Sequence, residues 1–118
     1  DLYFEDEPTD SLLRRFHPID LFTEEAHCGI LLGEKGSQRV YFHMYGESEL
    51  HDLMLDFNGY LQLALEARGY FYWQKYLLEL LYETKSEESD NFKHYMPQLF
   101  EGFNIDDFKS KFEELKLK

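Results

Sequence analysis

The sequence predicts an α+β fold: an antiparallel sheet of three or more strands in the first half, with helices packed on one face of it and forming the C-terminal half. Two patterns carry that expectation. Val40, Phe42 and Met44 alternate with Tyr41, His43 and Tyr45, which is the period of a strand. From Ser48 onward the apolar residues recur at helical spacing instead. Composition adds a third argument. The 118 residues are 43% hydrophobic and 18% aromatic, enough to build a core without a metal or disulfide staple and too apolar for intrinsic disorder.

Each element follows from local chemistry. Residues 12–16 form a short apolar and basic run that stops at His17-Pro18, because proline pushes its predecessor out of the α region. Pro18 then opens a short helix over residues 19–25, where its missing N–H costs nothing. Residues 28–33 are an apolar run too short for a helix and read as a strand. Gly33 and Gly36 supply the positive-φ positions of a hairpin loop leading into the strand at 40–45.

Ser48 caps the first long helix, whose stripe of Leu50, Leu53, Met54, Phe57, Tyr60, Leu61, Ala64 and Leu65 faces the core. Gly69, after Arg68, is its stop. A second helix over residues 70–84 is apolar around most of its circumference, and residues 85–90 read as a polar loop. The helical period resumes from Phe92 to Phe103, with Pro97 expected to kink or split it. Asn104, with Asp107 three residues on, caps a last helix through Phe108, Phe112 and Leu115. The expected organisation is one domain, with sheet and first helix over residues 12–69 and a helical extension over 70–118.

Charge narrows the function classes. There are 24 acidic against 12 basic side chains, for a net charge of −12. Such a surface repels phosphate backbones and anionic lipid, so neither nucleic acid nor a membrane is the expected partner. No apolar run approaches the length of a bilayer span. The acidic excess is greatest over residues 1–25, led by Glu5-Asp6-Glu7. A single cysteine, Cys28, leaves no partner for an internal disulfide and fits a reducing, cytoplasmic setting. The chain starts at Asp1, and residues 1–10 read like the middle of something, so the expectation is a truncated N-terminus.

No motif commits the chain to catalysis. Gly33-x-x-Gly36-Ser37 lacks the Lys-Ser/Thr and following helix of a phosphate loop, and reads as a hairpin turn. His27 and Cys28 are adjacent, so on a strand they point to opposite faces and cannot chelate together. His43 and His51, with Glu47, Glu49 and Asp52, are the residues for a rival reading as a small metal-dependent enzyme. A solvated first helical turn explains the same carboxylates. Cys28 sits in an apolar run and reads as a small buried hydrophobe. No catalytic residue, resident metal or cofactor is therefore assigned.

The features that suggest binding are of two kinds. Tyr70-Phe71-Tyr72-Trp73 places four aromatics in succession, so on a helix they point all round. They either cover neighbouring structure or anchor a partner, for which Tyr72 and Trp73 are the candidates. On the expected helix Glu49, Asp52 and Asp56 follow one another at intervals of three and four, with Glu47 just ahead. They form either a wet face or a negative ridge that meets basic groups on a partner. A third reading is a subunit that self-associates through its aromatics.

One family resemblance goes further. Residues 53–61, Leu-Met-Leu-Asp-Phe-Asn-Gly-Tyr-Leu, resemble the "F-x-x-Y/F-L" helix that follows the last core strand in the SMI1/KNR4 (SUKH) superfamily, and Arg39-Val40-Tyr41-Phe42-His43-Met44-Tyr45-Gly46 resembles that strand. The resemblance spans about residues 12–69. The family's usual N-terminal helix and "NGG"-like turn are absent from it, and the helical tail from Tyr70 departs from its compact pattern. It implies a non-enzymatic protein-binding module. Bacterial members commonly act as immunity proteins that neutralise toxin domains, often nucleases, and fungal relatives regulate cell-wall synthesis. A basic toxin domain would complement the acidic chain.

Overall fold

Strands β1 (Phe16–Asp20), β2 (Ala26–Leu31), β3 (Tyr41–Met44) and β4 (His51–Asp52) lie side by side in chain order, each antiparallel to its neighbour. Four helices follow: α1 (Phe57–Glu66), α2 (Gln74–Tyr82), α3 (Glu87–Leu99) and α4 (Ile105–Leu115). The protein is therefore α+β, with the sheet in the first half and the helices in the second. This is a computed structural model that describes residues 15–31 and 38–117. The expected hairpin loop at 33–37 and the acidic N-terminal run lie outside the described residues. The chain separates into two compact units, Asp1–Phe57 and Asn58–Lys118.

In the first unit, register decides which side chains share a face. Cys28 pairs with Phe42 and Phe42 with His51, so these three project from one side. His27 pairs with His43 and Phe16 with Leu31, on the other side. Phe16, Cys28, Leu31, Phe42 and His43 are all buried, so β3 does not alternate between core and water as its composition suggested.

The helix expected over residues 19–25 is absent, because Pro18 lies inside β1. Among the described residues that strand pairs only with β2, and an edge tolerates a residue without an N–H. A bulge at Ile19 shifts the register between Pro18 and Asp20. The chain then turns around Thr23, whose Oγ1 accepts hydrogen bonds from the amides of Glu25 at 3.1 Å and Ala26 at 3.0 Å. Opposite Pro18 sits Gly29, where an added Cβ would overlap the His17 carbonyl. The close approach of β1 to β2 needs glycine there.

The first long helix starts nine residues later than Ser48, at Phe57. Residues 51–52 instead form β4, and the chain just beyond stays bonded to Val40: Leu53 donates its amide to the Val40 carbonyl at 3.1 Å, and Val40 donates to Leu55 at 2.8 Å. Met54 has a φ of 60°, which no helix interior accepts, and its amide is held by Asp52 Oδ1 at 2.8 Å. Leu53 and Leu55 are both fully buried around that turn. In α1 the buried residues are Gly59, Tyr60 and Leu63, whereas Phe57, Leu61 and Leu65 of the expected core stripe are exposed. The helix end matches expectation: Gly69, at φ 66°, donates its amide to Ala64 at 3.1 Å.

The second unit is built on aromatics. Phe92 and Phe108 meet edge to face with centroids 5.1 Å apart, and Tyr76 stacks beside both. Trp73 lies against Tyr60 at 5.2 Å, and buried Gln74 donates to the Tyr60 hydroxyl at 2.9 Å. The run at 85–90 is a helix start rather than a loop. Ser86 Oγ caps the Ser89 amide at 3.0 Å, and Glu87, Glu88 and Asp90 occupy the first turn, where the helix dipole favours them. Pro97 does not split α3. It lies in the last turn, and the helix ends two residues later. Asn104 caps α4 as expected, accepting from Asp106 at 2.7 Å and Asp107 at 3.2 Å.

Candidate partner-binding surfaces

The segment after β3 carries the first candidate. It turns at Gly46, whose φ is 88°, with the Glu47 amide bonded to the Met44 carbonyl at 3.0 Å. Glu47, Ser48 and Glu49 are exposed and, with Gly46 and His51, line an open recess of about 450 Å³. Buried His43 reaches the backbone of this loop. Its Nε2 donates to the Glu47 carbonyl at 2.7 Å, which places the ring hydrogen on Nε2, because a carbonyl oxygen only accepts. His51 Nε2 faces Glu47 Oε1 at 3.4 Å. The loop is thus tied to the sheet from beneath while its carboxylates face water.

The four acidic candidates do not form a helical ridge. Glu47 and Glu49 belong to the loop, Asp52 to β4, and Asp56 to the segment before α1. Asp52 is committed to structure: Oδ2 accepts from Arg39 Nη1 at 3.1 Å, and Oδ1 holds the Met54 amide. A carboxylate with both oxygens engaged inside the fold has little left for a partner.

The histidine pair proposed for a metal is separated by the sheet. His51 shares a face with Phe42, and its ring lies 6.4 Å from the Phe42 ring. His43, the next residue along β3, projects from the opposite face, 5.8 Å from Phe16. Among the described residues no three His, Cys, Asp or Glu side chains come together as metal ligands. The described geometry therefore does not assemble the metal centre that the rival reading would build on His43 and His51.

The second candidate is the turn between α1 and α2. Residues 70–73 are not helical, since Tyr72 has a φ of 64°. The aromatics consequently separate instead of circling one axis. Trp73 is only 3% exposed and belongs to the core, which removes it as a surface anchor. Tyr70 sets its edge against Phe92 at 5.8 Å, while Phe71 is 69% exposed. Tyr70, Phe71 and Tyr72, with Glu88 and Asn91 of α3, line a recess of about 370 Å³. Phe71, Glu88 and Asn91 were missed from sequence. Only the aromatic run signalled the first of them, and nothing signalled the α3 pair, which meets the turn through tertiary packing.

Two further groups report on local electrostatics. Burial holds the His27 imidazole below its ordinary value of 6.5, and the His43 ring across the strand pair adds to this; the Thr23 backbone and Asp20 oppose it. Burial also raises the Tyr76 phenol. No helix among the described residues is long and apolar enough to cross a membrane. No family model, curated protein or solved structure matches the chain.

Proposed function

We propose that this chain is a protein-binding module of the SMI1/KNR4 type, acting as an immunity protein that meets a basic toxin domain through its acidic surface. The observation that carries the proposal is the loop at Glu47–Glu49. Its carboxylates are exposed, while buried His43 holds its backbone. Pre-ordered charge of this kind steers a cationic partner and loses little entropy on binding. An antiparallel meander followed by a helix that opens on Phe57-Asn58-Gly59-Tyr60-Leu61 supports the family reading. The net charge of −12 supports the sign of the partner.

The test is to purify the product of the neighbouring gene and measure whether the chain binds it and blocks its activity. One-to-one binding that weakens with salt is the expected result. No binding, or binding that ignores salt, would discard the proposal.

A second reading, self-association, is favoured by one observation. Phe57, Leu61 and Leu65 recur every four residues along α1 and are all exposed, Leu65 at 76%. Light scattering of the parent and of Leu61→Lys/Leu65→Lys separates the two. A dimer that the double variant dissolves would favour self-association, and a monomeric parent would remove it.

A further inference from the structure

We propose that the recess at the aromatic turn between α1 and α2 binds a guanidinium side chain, an arginine presented by another protein. Tyr70, Phe71 and Tyr72 supply aromatic surface, and Glu88 and Asn91 supply an anion and an amide from α3. Among the described residues, no side-chain hydrogen bond or ion pair engages Glu88 or Asn91. The nearest strong cation along α3, Lys93, is already held by Glu79 at 2.6 Å. Phe71 is 69% exposed, a large apolar ring left open to water.

The choice of ligand follows from these groups. A purely apolar occupant would strand the Glu88 carboxylate against it, and desolvating an unpaired charge is costly. An anion would meet Glu88 on a chain of net charge −12. A cation satisfies both kinds of wall: the aromatic faces attract it through their quadrupoles, and the carboxylate pairs with it. Arginine fits better than lysine, because its planar guanidinium can lie flat on a ring while its edge donates to a carboxylate and an amide oxygen. The recess of about 370 Å³ falls within the usual range of small-ligand sites. This recess shares no lining residue with the one at the Glu47–Glu49 loop and deepens the functional proposal only in naming a residue type the partner would offer.

The experiment titrates the isotope-labelled full chain with Nα-acetyl-arginine methylamide, and in parallel with the lysine and leucine derivatives, following amide resonances. Saturable shifts at residues 70–72, 88 and 91 are expected for arginine, weaker ones for lysine and none for leucine. Phe71→Ser and Glu88→Gln should each raise the dissociation constant about three- to tenfold. Glu114→Gln, at an exposed position of α4, should leave it unchanged. Phe71→Leu keeps the bulk and removes the ring, so it serves should the serine variant melt early. Equal binding of the leucine derivative, arginine shifts confined to Glu47 and Glu49, or an affinity indifferent to Glu88→Gln would each overturn the assignment. No partner protein is needed, so a chain that binds the arginine derivative but does not block the neighbouring gene product would keep this site and lose the immunity function.

Discussion

Lys93 of α3 donates to Glu79 Oε2 of α2 at 2.6 Å, and Ser89 Oγ donates to the other oxygen, Glu79 Oε1, at 2.9 Å. Both carboxylate oxygens are satisfied from one neighbouring helix, so the pair sets how α2 and α3 meet. Burial alone would raise the Glu79 carboxyl, but the hydrogen bonds from Lys93 and Ser89, with the positive charges of Lys93 and Lys85, outweigh it and hold the group below its ordinary 4.5. Lys93 is raised above its ordinary 10.5, first by the hydrogen bond to Glu79, against the opposing effect of burial.

Stability should respond to pH at both ends of that pair. A depressed carboxylate contributes in full above its unfolded value and loses that contribution as pH falls below about 4.5 toward the folded value. A raised amine contributes in full below its unfolded value and loses it as pH rises above about 10.5. Lys93 is about a third open to water, so screening limits the pair to about 1 kcal/mol. Glu79→Gln should lower the melting temperature at neutral pH and flatten the acid limb of the stability curve. An unchanged curve between pH 3 and 5 would show that the contact contributes nothing.

His27 adds a second acid-sensitive point on the sheet. Its folded value is depressed, so the neutral ring is favoured, and stability is lost as pH falls below 6.5 toward the folded value. The groups around it are the His43 ring, Asp20 and the Thr23 backbone. His27→Gln should remove the stability change that sets in below pH 6.5 while keeping the fold. Denaturant melts at a series of pH values measure this directly.

Gly29 should tolerate no side chain. An added methyl would run into the His17 carbonyl and the Pro18 backbone, which belong to the paired strand and cannot rotate away. Gly29→Ala is expected to cost about 2–3 kcal/mol, read as a lower denaturant midpoint. Gly46→Ala meets open space, and its cost comes only from the positive φ, so it should be milder, about 1 kcal/mol.

The acidic residues should divide by role. Glu47→Lys/Glu49→Lys should leave the melting temperature nearly unchanged and slow association with a basic partner, most of all at low salt. Asp52→Lys should do the reverse, because it sets an amine beside Arg39 and releases the Met54 amide. Its cost should reach about 2 kcal/mol, visible as a lower melting temperature before any partner is added. Equal melting of the two variants would mean that Asp52 is as peripheral as the loop.

Features written in local chemistry were legible along the chain. The two halves of the fold, the strands around Cys28 and Phe42, the stop at Gly69 and the Asn104 cap each depend on residues within a few positions of one another. Other features depend on partners far along the chain. Leu50, Leu53, Met54 and Phe57 satisfy a helical spacing, yet Leu53 and Leu55 also satisfy a strand. Val40, Arg39 and Asp52 settle the matter by pairing across the sheet. Pro18 forbids an interior strand but not an edge, and being an edge is a property of the assembled sheet. The same holds for binding. The acidic excess is legible as composition, but Asp52 is withdrawn from it by Arg39, and Trp73 is withdrawn from the aromatic run by Tyr60 and Phe108. Phe71 stays exposed because the positive φ at Tyr72 breaks the helix that would have spread all four rings around one axis. Hydrophobic spacing records which residues prefer burial, and long-range pairing decides which of them obtain it.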